Sequence, residues 1–215
     1  MKNIINQFIQ NYIIRPFLSF IIGVRYENTA ALKQEQQYII VANHNSHLDA
    51  LSIRAALPES QRKKTYTVAA LDYFGKNNFC KSAMRFFLNA ILIKRKKTVG
   101  EPSAIATLDN LLKKGKSLIL FPEGSRGQPG VLAEFKKGIA ILLKKNPQLA
   151  IVPAYLNGFG RVMPKDSSLC LPMLCKVRFG DPLRLETADI DTMLQQVQTA
   201  ILTLKPSTEK DLNKF

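Results

Sequence analysis

Tyr38-Ile39-Ile40-Val41-Ala42-Asn43-His44-Asn45-Ser46-His47-Leu48-Asp49 decides how this chain is read. Five apolar residues bounded by turn formers predict a short buried strand. The polar run that follows holds both histidines of the chain and predicts a loop at the strand's carboxyl end. The pattern recurs at 117–121, where another strand-like run opens into Pro122-Glu123-Gly124-Ser125-Arg126-Gly127.

Further strand-like runs lie at 65–70, 90–93, 150–155 and 176–179. Amphipathic helix patterns fall between several of them. One covers 79–88, a second covers 104–114 and ends at Gly115, and a third covers 133–145 before Pro147. A final helix has Ile190, Met193, Leu194, Val197, Ile201 and Leu202 as its buried face. Strands alternating with helices predict an α/β fold: a single domain whose mostly parallel sheet is covered by helices. At 215 residues and 46% hydrophobic the chain fits one such domain and excludes a disordered class. The expected organisation is an N-terminal helical segment over 1–24, the domain over 25–204 and a polar tail over 205–215.

The N-terminal segment places Ile4, Ile5, Phe8, Ile9, Tyr12 and Ile13 at helical spacing, with Asn3, Asn6, Gln7, Gln10, Asn11 and Arg15 between them. Two accounts fit: a helix capping the domain core, or one lying in a bilayer surface. Pro16 is expected to end or kink it. No run of about 18 apolar residues is present, so no standard spanning helix is expected. Nor does the start of the chain read as a secretory signal. Three cysteines without a Cys-x-x-Cys pair indicate neither a disulfide framework nor a thiolate zinc site, and point to a reducing compartment.

Lys and Arg number 31 against 16 Asp and Glu, a net charge of +15. Such a surface attracts anions without choosing among nucleic acid, lipid and acidic protein. The clusters Arg62-Lys63-Lys64 and Lys94-Arg95-Lys96-Lys97 adjoin strand ends. They lack aromatics placed for stacking, and no nucleic-acid-binding motif is found, so nucleic acid is not expected as a partner.

His44 and Asp49 are five residues apart, and a tight turn entering a helix brings such a pair together. A carboxylate against an imidazole fixes its tautomer and stabilises the imidazolium that forms when a hydroxyl proton is taken. Two other readings of the segment stand beside this one. His44, His47 and Asp49 are possible metal ligands, although their spacing fits no common zinc pattern. Alternatively, Asn43, Asn45 and Ser46 cap the strand end through side-chain-to-backbone turns. In the second loop, Gly124 and Gly127 permit close backbone approach, while Ser125 and Arg126 suit phosphate oxygens. The loop is not a Walker A motif.

Taken in order, these segments resemble the glycerolipid acyltransferase family. Its Asn-His-x4-Asp block is matched by Asn43, His44 and Asp49, and its apolar strand ending in Arg by 91–95. Its Phe-Pro-Glu-Gly-Thr-Arg-Ser block is matched by 121–127, and its apolar pair before proline by Ile151-Val152-Pro153. Phe135-Lys136-Lys137-Gly138 is similar to the segment that follows the third block. Ser125 stands for the usual Thr and keeps a hydroxyl, Gly127 stands for the usual Ser, and Asn89 stands where the second block often has Gly.

The resemblance implies transfer of an acyl group from a thioester to a lysophospholipid hydroxyl, with 1-acylglycerol-3-phosphate as the default acceptor. It implies His44 and Asp49 as the catalytic pair, and Arg95, Glu123, Gly124, Ser125 and Arg126 as the acceptor-binding set. Glu123 is expected to orient an arginine or the acceptor hydroxyls. No resident cofactor or metal is implied. The donor is acyl-coenzyme A or acyl-acyl carrier protein, and the enzyme is expected peripherally on the cytoplasmic face of an anionic membrane. Another lysolipid or an amino-acid lipid would use the same pair, and a non-enzymatic membrane-surface module is the alternative of another class.

Overall fold

In the computed structural model, which describes residues 2–71, 78–94, 102–128, 131–162, 173–186 and 189–206, seven strands form one sheet. They are β1 (Val24–Glu27), β2 (Tyr38–Ala42), β3 (Thr65–Ala70), β4 (Ala90–Ile93), β5 (Ser117–Leu120), β6 (Ala150–Asn157) and β7 (Cys175–Phe179). Their order is β1-β7-β6-β2-β5-β3-β4. Every pairing is parallel except β6 with β7. The helices are α1 (Lys2–Ile9), α2 (Asp49–Ala56), α3 (Glu59–Arg62), α4 (Asn78–Phe87), α5 (Ala104–Lys113), α6 (Gly138–Lys145), α7 (Phe159–Val162) and α8 (Ile190–Leu202).

Side chains alternate across β2, as strand geometry requires. Tyr38, Ile40 and Ala42 pack on one face with Ile53 and Ala55 of α2 and with Leu18 and Ile22. Ile39 and Val41 pack on the other with Leu108 of α5, Leu142 of α6 and Val197 of α8. Burial on both faces explains why β2 and β6 read as continuous apolar runs rather than alternating ones.

From β2 the chain passes to α2 on the first face, whereas from the adjacent β5 it passes to α6 on the second. Neighbouring strands whose connections leave on opposite faces open a crevice at their carboxyl ends, where α/β sheets place ligands. The two loops singled out in the sequence flank that crevice. The chain reaches it by register: Val41 pairs with Leu120, so residues 43 and 122 emerge side by side.

Three elements differ from expectation. Four-residue β1 has too short a pattern to stand out, and its pairing with β7 defines it. Helix α6 begins at Gly138 rather than near 133. The stretch before it is held to the second loop, with Ala133 N donating to Glu123 Oε2 and Lys136 N to the Pro122 carbonyl. Gly115, at φ +70°, does end the turn after α5 as its position predicts.

Nor does Pro16 end the N-terminal helix. Helical dihedrals run through it (φ −60°, ψ −44°), and wider π-helical turns cover Gln10–Ile14 and Phe17–Ile22 up to Gly23. This helix is also turned opposite to a simple core cap. Ile4, Phe8, Tyr12 and Phe20 face outward, with Phe20 85% exposed, while the amide face lies inward. Asn6 Nδ2 donates to the Phe86 carbonyl and Gln10 Nε2 to the Phe87 carbonyl at 2.8 Å, at the end of α4. Asn11 Oδ1 accepts from Arg62 at 2.7 Å. The amide-rich face is therefore an intramolecular contact. Only beyond it do Ile14, Leu18 and Ile22 enter the core. Among the described residues no helix is long and apolar enough to cross a membrane.

Candidate active site

At the end of β2, Asn43 extends the sheet with its side chain. Its Nδ2 donates to the Leu156 carbonyl at 2.9 Å and its Oδ1 accepts from Leu156 N at 2.7 Å, both across to β6. This amide-for-peptide pairing pins the point where His44 leaves the sheet. The chain then turns into α2, whose first residue is Asp49.

Asp49 is fully buried, and its Oδ2 is the hub of the turn. It accepts from Asn45 N at 2.7 Å and Ser46 N at 2.8 Å, and lies 2.9 Å from His44 Nδ1. Both N–H groups precede the helix, so Asp49 closes the turn that leads into α2 rather than capping the helix. The same oxygen also fixes the imidazole. An acceptor at Nδ1 places the ring proton there and leaves Nε2 to accept. The ring stacks on Phe121, with centroids 4.1 Å apart at 20°, so its plane is set as well as its tautomer.

The second loop is tied to the first through backbone. Glu123 Oε1 accepts from His44 N at 2.7 Å, and Gly127 N donates to the His44 carbonyl at 2.9 Å. Glu123 is 3% exposed, and with Oε2 taken by Ala133 both of its oxygens are engaged. Burial raises its carboxyl above the usual range, although the His44 and Ala133 N–H groups oppose the shift. Glu123 was expected to face an arginine or the acceptor. Its oxygens are instead turned to backbone N–H groups, and it positions the His44 loop. Gly124, at φ +72°, closes the turn with its N–H on the Phe121 carbonyl at 3.1 Å, a conformation a side chain would strain. A Cβ on Gly127 would lie 3.2 Å from Glu123 Oε2, which accounts for the hydrogen there.

Ser125 is exposed and Arg126 half-buried at the mouth of the crevice. Arg126 is close enough to His47 to help depress its pKa, after partial desolvation of that ring and ahead of His44. His47 itself points outward and is not drawn into the His44–Asp49 pair. Among the described residues no three His, Cys, Asp or Glu side chains are grouped to hold a metal, and Asp49 is already committed to His44. Arg95 lies outside the described residues, which stop at Lys94 after β4.

The acyltransferase family model matches residues 23–157, from the first strand through β6, and so spans both loops. The chain belongs to the acyltransferase family. Relatives of this acyltransferase include 1-acyl-sn-glycerol-3-phosphate acyltransferase alpha of Mus musculus, 24% identical over 193 residues covering 86% of this chain and 65% of the relative. Another is the 1-acyl-sn-glycerol-3-phosphate acyltransferase of Cocos nucifera, 28% identical over 194 residues, covering 88% and 58%. The chain thus spans about half to two-thirds of the length of such curated relatives. The crystal structure of the 1-acyl-sn-glycerophosphate acyltransferase PlsC from Thermotoga maritima superposes with a TM-score of 0.77 at 19% identity, over 100% of this chain and 82% of that one, and shares its fold.

Sequence reasoning found the catalytic candidates but not what holds them. The sequence marks Asn43 as a turn former and as the first residue of the Asn-His-x4-Asp block, and its bridge to Leu156 becomes visible once β6 is known to flank β2. The Phe121 stack and the Glu123 contact with Ala133 follow in the same way from strand order.

Proposed function

We propose that this protein transfers a fatty acyl group from a thioester to the free hydroxyl of a lysophospholipid, with 1-acylglycerol-3-phosphate as acceptor and phosphatidic acid as product. The observation that carries the reading is the 2.9 Å contact of His44 Nδ1 with buried Asp49, at the switch-point crevice and with Nε2 left to accept. Neither the described buried cysteine nor the serine inside the histidine motif is placed as a competing nucleophile. Cys175 is buried in β7, and Ser46 is buried beneath the turn with its Oγ accepting from Leu48 N.

His44 Nε2 takes the proton of the acceptor hydroxyl as its oxygen attacks the thioester carbonyl. The tetrahedral centre collapses, the C–S bond breaks, and the imidazolium returns its proton to the leaving thiolate. Asp49 stabilises the imidazolium between those events. No covalent acyl-enzyme forms. General base catalysis of this kind contributes about 10²–10⁴-fold.

Arg126, with Gly124 and Ser125 shaping the same mouth, binds the acceptor phosphate, and Arg95 joins it from the end of β4. Acyl-coenzyme A or acyl-acyl carrier protein is the donor; one carries phosphates and the other is an acidic protein, so both suit a surface of net charge +15. The outward apolar face of the N-terminal helix supports docking on the cytoplasmic side of an anionic bilayer, with no spanning segment required.

The test is to incubate the purified protein with liposomes, a panel of lysolipids and each donor, and to identify the product by mass spectrometry. Phosphatidic acid formed by wild type and lost in His44→Ala is the expected result. A different acylated lipid would move the acceptor, and equal product from His44→Ala would overturn the mechanism.

A further inference from the structure

The basic excess does not all lie at the catalytic crevice. A second concentration sits where the N-terminal helix meets the body, around a cavity of about 180 Å³ lined by Asn6, Gln7, Arg54, Arg62, Lys63, Arg85, Phe86 and Asn89. Thr65 and Asn89 belong to the amino ends of β3 and β4, so this cavity opens at the sheet edge opposite His44. Six residues of strand, roughly 20 Å, separate the two edges.

Two of its arginines are inside the protein. Arg54 is 3% exposed and Arg62 is 2% exposed. Neither has a carboxylate within ion-pair distance among the described residues. Arg54 Nη1 donates to the Thr65 carbonyl at 3.1 Å, and Arg62 donates to Asn11 Oδ1 and the Leu57 carbonyl. These acceptors are neutral, and Nε of both arginines is buried with no partner among the described residues. Gln7 Nε2, on the opposite wall, is a third buried donor in the same condition. The Asn6 and Asn89 amides are already spent on the carbonyls of Phe86 and Thr65. Burial, and behind it the charge of Arg62, pull Arg54 down to about 10. Exposed Lys63 and Arg85 add two more cations at the rim.

Buried cations without an ion-pair partner are costly, even though Glu59 acts on Arg62 from farther off, and buried donors without acceptors add to that cost. A ligand that removes both penalties together is a compact oxyanion with several acceptor atoms. Arg forks match phosphoryl oxygens in particular. The volume is well under the ~300–1,000 Å³ of pockets that enclose drug-sized molecules, so it takes in a phosphoryl group and leaves the rest of any larger ligand outside the mouth.

We propose that this cavity is a second anion site, in which Arg54, Arg62 and Gln7 bind a phosphoryl group with Lys63 and Arg85 guarding the entrance. The group comes either from a phospholipid head group or from a soluble phosphate. Its occupancy fastens the N-terminal helix to the body, because the ligand would touch Gln7 on one side and α2 and α3 on the other. The site stands on its own contacts and does not depend on the acyl-transfer reaction.

The experiment uses the full chain and two probes. Thermal unfolding is followed in inorganic phosphate against chloride at matched ionic strength, in an Arg126→Ala background so that the crevice does not contribute. Phosphate is expected to raise the unfolding midpoint by several degrees, since a ligand that binds only the folded state stabilises it. The rim variant Lys63→Gln/Arg85→Gln, altered only at exposed positions, should lose most of that rise, and Arg54→Met should lose it entirely. Flotation with phosphatidylcholine vesicles, with and without phosphatidic acid, then separates the sources. Loss of phosphatidic-acid-dependent flotation in the rim variant assigns a lipid head group; a lost thermal shift with flotation intact assigns a soluble phosphate. A thermal shift that Arg126→Ala alone abolishes, or one unchanged in both the rim variant and Arg54→Met, would overturn the proposal.

Discussion

The two ends of helix α2 handle charge in opposite ways. At its first residue, Asp49 gives one oxygen three partners within 2.9 Å, two from backbone and one from His44. One turn and a half later, Arg54 reaches a single carbonyl with Nη1 and leaves Nε buried without a partner among the described residues. At one end Asp49 Oδ2 is saturated with donors, although Oδ1 of the same carboxylate is buried without a partner among the described residues; at the other, the buried atoms left over are donors, Arg54 Nε and Arg62 Nε. An oxygen held by three donors keeps the imidazole in one orientation. Leftover buried donors are what an incoming anion would complete. In the proposed reading, one end of α2 acts and the other receives.

The largest effect tests the matched end. His44→Ala removes the proposed base and should lower kcat/KM by about 10²–10⁴-fold in a protein that still folds, since Asp49 Oδ2 keeps the Asn45 and Ser46 N–H groups. Asp49→Asn keeps an acceptor for the Asn45 and Ser46 N–H groups and should therefore fold. It loses the charge that stabilises the imidazolium, and a fall of similar order is expected in steady-state kinetics. A folded Asp49→Asn enzyme with near-wild-type turnover would show that Oδ2 only closes the turn before α2.

Smaller effects come from the groups that support this end. Asn43→Ala would strand both the N–H and the carbonyl of Leu156 in the interior, at a cost of about 2–4 kcal/mol in urea unfolding. Glu123→Gln sets an amide NH2 against one of two backbone donors, and should lower kcat by about tenfold or more while KM moves less. Its pH signature is specific. Burial raises the Glu123 carboxyl, so the folded state holds that proton to higher pH than the unfolded chain does. Stability should then fall as pH rises from the ordinary carboxylate range through the raised value, and level off beyond it. The Gln variant should lack that fall. Identical pH profiles for the two proteins would show that Glu123 does not titrate there.

How far the sequence carries depends on whether a feature is local. Strands β3 and β4 are found to the residue, because each is a short run rich in strand-forming residues that begins directly after a polar residue. His44 and Asp49 are legible because a five-residue spacing across a helix entry already brings them together. Asn43 with Leu156 is not, since 113 residues separate them and only the β2–β6 register joins them. The stretch before α6 is also placed by tertiary contacts, with Ala133 N on Glu123 and Lys136 N on the Pro122 carbonyl. The N-terminal helix shows the limit of periodicity. Its two faces are plain in the sequence, but which one turns inward was settled by carbonyls at the end of α4 that no local pattern announces.

The smallest effect tests the other end of α2. Arg54→Met replaces a buried cation by an apolar chain of similar length, and such exchanges of buried charge are often neutral or stabilising. The Thr65 carbonyl that Arg54 serves would not be stranded, because Asn89 Nδ2 also donates to it at 3.1 Å. In chloride buffer without phosphate the variant should unfold in urea within about 1 kcal/mol of wild type. Under the same conditions Asn43→Ala, which strands its partners, should lose several times more. If Arg54→Met instead costs about 3 kcal/mol, the guanidinium is a structural donor like Asn43 and the two ends of α2 do not differ in kind. If it costs nothing, the charge at that end contributes to stability only when an anion is present, as a receiving site requires.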